Sequence, residues 1–143
     1  MDNISLKALA KINLGLDVVR RRDDGYHEVR MIMQTINLFD RLEIKKIKEP
    51  AIKIHTNLFF LPVNENNLVY KAAKLLIDEF GIQEGVSVGL TKKIPVAAGM
   101  AGGSTDAAAM LFGMNRLFGL GLSKKQLMER GVKIGADVPY CIM

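Results

Sequence analysis

The chain has 143 residues, enough to bury one hydrophobic core, and a formal net charge of +5 carried by lysines that are scattered rather than massed. Its single cysteine, Cys141, excludes an internal disulfide and a cysteine-rich zinc site, and His27 and His55 lack metal-ligand spacing, so no protein metal site is expected. Without an apolar run of about eighteen residues or a secretory leader, the composition fits a cytoplasmic protein with no membrane partner, and the thinly spread charge argues against nucleic acid as its target.

The elements read in chain order give one domain over residues 1–143. Ile12, Leu14, Leu16 and Val18 alternate with Lys11, Asn13, Gly15 and Asp17, the period of a strand with one apolar face; Lys11 and Asn13 therefore point the same way. Strands are predicted over Met31–Leu38 and Leu42–Ile47 around a turn at Asp40-Arg41, and over Ala51–His55. Leu68–Phe80 is amphipathic, entered through Asn66-Asn67 and ended by Gly81, which predicts a helix. Val86, Val88 and Leu90 then alternate as a strand. Ser123 and Gln126 fit a capping box for a short helix through about Val132, and the apolar Cys141-Ile142-Met143 looks like the start of another strand. Strands first and helices late predict an α+β domain, a mostly antiparallel sheet with helices on one face.

Between the last predicted strand and the next helix lies KIPVAAGMAGGSTDAAAM, Lys93 to Met110. Three glycines, Gly99, Gly102 and Gly103, let the main chain approach a ligand with its N–H groups, and the helix that follows brings its positive end to the same place, so a phosphate is the expected occupant. Ser104, Thr105 and Asp106 fit the first turn, Ser104 also suits an N-cap, and Gly119 is placed to end the helix. The loop lacks the lysine of G-x-x-x-x-G-K-[ST] and the spacing of G-x-G-x-x-G, so neither of those mechanisms applies.

This pattern resembles the ATP-binding motif of the GHMP kinases, which phosphorylate small alcohols and phosphorylated acids, with departures at Met100, Ala101 and Thr105 that keep side-chain size. Two further stretches are similar to the same family in order and spacing: AKINLGLDVVRRRDDGYHEVRMIMQTINLFDRL from Ala10 to Leu42, preceded by Leu9 where proline is usual, and GADVPYC from Gly135 to Cys141. They resemble the branch whose substrate is a cytidine diphosphate-linked methylerythritol, phosphorylated on its 2-hydroxyl on the non-mevalonate route to isoprenoid precursors. The resemblance implies the ribosomal-protein-S5-domain-2-like fold and an amino-terminal, ATP-binding and catalytic domain. Members of the family are about twice as long as this chain, so a carboxy-terminal domain is expected to be missing. The half alone is then expected to fold, to be inactive by itself, and to self-associate through the uncovered face.

The resemblance also distributes roles. Asp137 takes the part of catalytic base, and Lys11 stabilises negative charge on the acceptor oxygen and the transferring group. Asn13 orients either the substrate hydroxyl or its phosphate. Tyr26 and His27 have the aromatic face and the donor and acceptor pair suited to a base, and in the family they read the cytosine. Adenine is placed near Asn67 and Lys92, and the phosphates over Pro95, Gly99, Ala101, Gly102, Gly103, Ser104 and Thr105. Mg²⁺ is expected with ATP, Ser104 being the hydroxyl best placed for it, while Asp106 either helps hold the ion or favours the helix terminus. Two other readings compete: a GHMP kinase of the homoserine or mevalonate type, which would ignore cytidine nucleotides, and a non-catalytic nucleic-acid-binding module of the same fold, which would bind RNA in a salt-sensitive way.

Overall fold

The structure is a computed structural model, and it describes residues 1–9, 39–58, 61–93 and 102–142. These residues form a sheet of four strands, β1 (Asn3–Leu9), β2 (Phe39–Ile47), β3 (Ile52–Thr56) and β4 (Gly85–Thr91), in the order β1-β2-β4-β3. β1 with β2 and β2 with β4 are antiparallel; β3 runs parallel to β4 and reaches it through helix α1 (Leu68–Phe80). Helices α2 (Gly102–Leu117), α3 (Lys124–Ile134) and α4 (Val138–Ile142) follow. The predicted α+β class holds, with two of three pairings antiparallel.

Alternation decides which face is covered. Leu42 and Ile44 of β2, Ile54 of β3 and Val86, Val88 and Leu90 of β4 are buried, while Arg41, Glu43, Lys45, Lys53 and His55 stand on the other, exposed face. Over the buried face lie α1 and α2, with Val69, Ala72, Ala73 and Leu76 from the first and Ala107, Met110, Leu111 and Met114 from the second. Gly113 sets how close α2 comes: a β-carbon there would lie 2.5 Å from Ile44 Cδ1 and 2.6 Å from Leu6 Cδ1.

Local chemistry explains the helix ends. The Asn67 side chain accepts from Val69 N–H at 2.8 Å, and Gly81 (φ 60°) closes α1 in the left-handed region. Gly119 (φ 60°) ends α2, with Leu120 N–H returning to Asn115 C=O at 3.0 Å. Ser123 and Gln126 form the expected capping box, and α3 runs to Ile134 rather than Val132.

Two expectations are corrected, and one strand is added. Asp40-Arg41 is not a turn: both residues lie within β2, paired with Ala8 and Lys7. The strand β1 was not foreseen at all, although Ile4, Leu6 and Ala8 alternate. Cys141-Ile142 ends a helix rather than starting a strand, because Val138 packs so tightly on Gly131 that a β-carbon there would lie 2.9 Å from it, leaving the segment against α3. The strands predicted over Ile12–Val18 and Met31–Leu38 lie outside the described residues. No helix among the described residues is long and apolar enough to cross a membrane.

Candidate active site

Helix α2 starts at Gly102, so the last two of the three glycines open the helix, and its first turn carries free N–H groups and its positive end. Ser104 is the third residue of the helix, half-buried, and therefore not its N-cap as its residue type suggested. From this first turn adjacent side chains diverge. Gly103 and Asp106 line a cavity of about 140 Å³ between α1 and β4, together with Leu61, Pro62, Asn66, Asn67, Leu68 and Lys92. Thr105 lines another, of about 270 Å³, between β1, α2 and α4, and its hydroxyl donates to Cys141 Sγ at 3.3 Å.

The first cavity is backed by a buried charge cluster. One step beyond the pair Arg41–Thr91, Asp40 on β2 stands opposite Lys92, which follows β4. Lys92 Nζ donates to Asp40 Oδ2 at 2.6 Å and to Asp106 Oδ2 at 2.7 Å, with the three side chains 4%, 0% and 3% exposed. Charges this deep persist only when paired and hydrogen-bonded. The backbone of Lys92 is held as well: its N–H donates to Asn57 Oδ1 at 2.7 Å, and its carbonyl accepts from Asn57 Nδ2 at 3.2 Å. Lys93 N–H donates to Asp40 Oδ1 at 2.5 Å, and its ammonium lies over Phe39, 5.5 Å from the ring centre.

Two carboxylates around one ammonium leave an excess negative charge, and burial is expensive for it. The Asp106 carboxyl is accordingly pushed up to about 8, first by burial and next by hydrogen bonding with Asp40, against the pull of Lys92. Lys92 is shifted upward: burial opposes its charge, but the two carboxylates together outweigh that cost. Asp106 Oδ1 has no hydrogen-bond partner among the described residues, so Oδ2 carries the tie to Lys92. Asp106 is thus committed to Lys92 instead of standing open at the helix start for a metal ion.

Asn67 and Lys92, expected to lie near adenine, do line one cavity, but their side chains are already engaged: the Asn67 amide caps α1 and donates to Pro62 C=O at 2.9 Å. Asp137 is exposed on the turn before α4, its carbonyl accepting from Cys141 N–H at 3.3 Å. Lys11, Asn13, Tyr26, His27, Pro95, Gly99 and Ala101 lie outside the described residues. Sequence reasoning missed Asp40, whose signal was its phase: it falls two residues before Leu42 and four before Ile44, on the buried face.

Residues 67–143, more than half of the chain, match the family described as GHMP kinases N terminal domain. The chain belongs to the GHMP kinase family. A relative from Lachnospira eligens named 4-diphosphocytidyl-2-C-methyl-D-erythritol kinase is 62% identical over 143 residues, 100% of this GHMP kinase chain and 50% of its own length. A relative of the same name from Clostridioides difficile is 54% identical over 142 residues, covering 99% and 48%. The chain spans about half the length of these curated relatives. The crystal structure of a 4-(cytidine 5'-diphospho)-2C-methyl-D-erythritol kinase matches at TM-score 0.57 and 34% identity, over 74% of this chain and 36% of that one. A homoserine kinase from Cytophaga hutchinsonii matches at TM-score 0.63 and 22% identity, over 68% and 32%, which is a likeness of fold.

Proposed function

We propose that this chain is the ATP-binding and catalytic domain, residues 1–143, of a kinase that phosphorylates the 2-hydroxyl of 4-diphosphocytidyl-2-C-methyl-D-erythritol on the way to isoprenoid precursors. The observation that carries the reading is the 62% identity along the whole chain to a kinase of that name. The start of α2 directly behind the glycine-rich stretch supports it, since positioning and neutralising phosphates is most of what such an enzyme must do.

In the reaction the acceptor oxygen forms a bond to the γ-phosphorus, the bond from that phosphorus to the β–γ bridging oxygen breaks, and ADP leaves. The hydroxyl proton passes to the Asp137 carboxylate, whose exposed turn leaves it accessible to substrate. Lys11 stabilises the charge that develops, Asn13 orients the acceptor, and Tyr26 and His27 hold the cytosine. Adenine is assigned to the cavity that Asn67 and Lys92 line, and the phosphates to Pro95, Gly99, Ala101, Gly102, Gly103, Ser104 and Thr105. Of these, Gly103 and the half-buried Ser104 sit in the first turn of α2, while Thr105, tied to Cys141, acts through the helix seam.

Mg²⁺ fits this arrangement as an ion carried by the nucleotide. Asp106 is taken by Lys92, and Ser104 supplies a hydroxyl in the first turn of α2, where the phosphates would lie. When bound, the ion neutralises phosphate charge. A cytoplasmic location, where ATP and a soluble sugar nucleotide meet, accords with the reading, as does self-association through the apolar cavity beside β1.

The test is phosphoryl transfer from ATP to 4-diphosphocytidyl-2-C-methyl-D-erythritol by the complete kinase containing this chain. Asp137→Asn should lower turnover by about 10²- to 10⁴-fold, and cytidine nucleotides should compete with the acceptor. Turnover of homoserine or mevalonate without cytidine competition would overturn the assignment.

A further inference from the structure

The buried cluster of Asp40, Lys92 and Asp106 is more than a way of hiding three charges. Within the glycine-rich region, Lys92 and Lys93 are described on one side of residues 94–101, and Gly102 to Asp106 on the other. Lys92 Nζ joins the two sides directly, reaching Asp106 on α2 at 2.7 Å. Asp40 anchors the near side to the middle of the sheet twice, through the ammonium of Lys92 at 2.6 Å and the N–H of Lys93 at 2.5 Å. The Asn57 amide holds both backbone polar groups of Lys92.

We propose that Asp40, Lys92 and Asp106 form a positioning clamp that fixes the entry and exit of the glycine-rich stretch relative to one another, and that Asn57 sets the backbone from which Lys92 acts. The proposal rests on the reading of that stretch as the ATP phosphate site. None of the three carboxyl or ammonium groups needs to touch the nucleotide; each acts through the main chain it holds. A salt bridge on a surface could not do this, because a long side chain in water keeps its freedom. Here the ammonium donates to two carboxylates from different elements, and burial excludes the water that would replace either bond. The chain can thus present helix N–H groups at a set distance from the end of β4 with little ordering left to do when ligand arrives.

The experiment compares Lys92→Met, Asp106→Leu and Asp106→Asn with the wild-type chain by amide hydrogen exchange and by calorimetric titration with ATP and Mg²⁺. Lys92→Met and Asp106→Leu should raise exchange in the first turn of α2 and at the end of β4, leave α3 unchanged, and weaken ATP binding by about tenfold or more. Asp106→Asn, which can still accept from Lys92, should keep the exchange pattern of the wild type. Exchange that rises uniformly through the chain, or a first turn as protected in Lys92→Met as in the wild type, would overturn the clamp. Because exchange is read without nucleotide, the two ideas separate: a wild-type chain that does not bind ATP but loosens locally in Lys92→Met refutes the ATP reading and keeps the clamp.

Discussion

Asp106 titrates far from its ordinary range. In an unfolded chain it would lose its proton near 3.8, whereas in the folded chain burial and the neighbouring Asp40 carboxylate raise that point to about 8. Facing it are Lys92 from the end of β4, Asp40 from β2 and, across the cavity, the neutral Asn67 amide before α1. Between those two values the folded state binds the extra proton, so stability falls as pH rises from about 4 to about 8 and levels off above. Lys92, shifted upward, contributes stability that is lost only above its ordinary range. Thermal unfolding across pH 5 to 9 should therefore show a melting temperature that declines in the wild type and a flatter profile in Asp106→Asn; equal slopes would refute the assignment. Much of this site was invisible in the sequence because Lys92 finds its partners 52 residues back and 14 ahead. Lys92 itself drew notice only through family resemblance. Asp40 beside Arg41 read as a polar turn, since nothing local announces that a buried ammonium awaits the carboxylate.

At the scale of elements, legibility followed locality. The bounds of α1 were readable to the residue because Asn67 and Gly81 act within one turn, and the capping box of α3 is likewise local. Asn67→Ala removes both the cap and the tie to Pro62, and should cost about 1 kcal/mol in denaturant unfolding. Elements defined by what they pack on were misread. β1 has three inward apolar positions and acquires its identity from pairing with β2, while α4 is too short for periodicity to separate helix from strand. The seat of α2 on the sheet depends on Gly113. Gly113→Ala forces Ile44 and Leu6 to move and should destabilise the chain by about 1–3 kcal/mol in the same measurement. A loss indistinguishable from zero would mean that α2 can shift away from β2.

At the scale of the whole molecule, the sheet brings Lys92 and the first turn of α2 together over its covered face, while Arg41, Glu43, Lys45, Lys53 and His55 stand exposed on the other. The edge beside β1 is different. Leu9 and Phe112 are 48% and 44% exposed, flanking the cavity shared by β1, α2 and α4. A chain that leaves such residues uncovered should self-associate at high concentration, and Phe112→Ser should shift the equilibrium toward monomer in sedimentation velocity. Identical profiles for the two proteins would place any association elsewhere. The fold class was legible before the structure, since strand and helix patterns follow one another in a simple order. The sheet order was not, because β2 lies between β1 and β4 through pairings that connect distant parts of the chain.

The make-up of the buried cluster, one ammonium against two carboxyl groups, sets how its three positions can drift in descent. Exchange of Asp106 for asparagine removes the titration and keeps an acceptor for Lys92, so it is a single mutational step that lineages can take and reverse. Asp40 and Lys92 have less freedom, since loss of Lys92 strands Asp40 in the interior and loss of Asp40 leaves Lys92 to Asp106 alone and frees the N–H of Lys93. Among relatives these two are expected to be inherited or replaced together, with position 106 alternating between acid and amide around them.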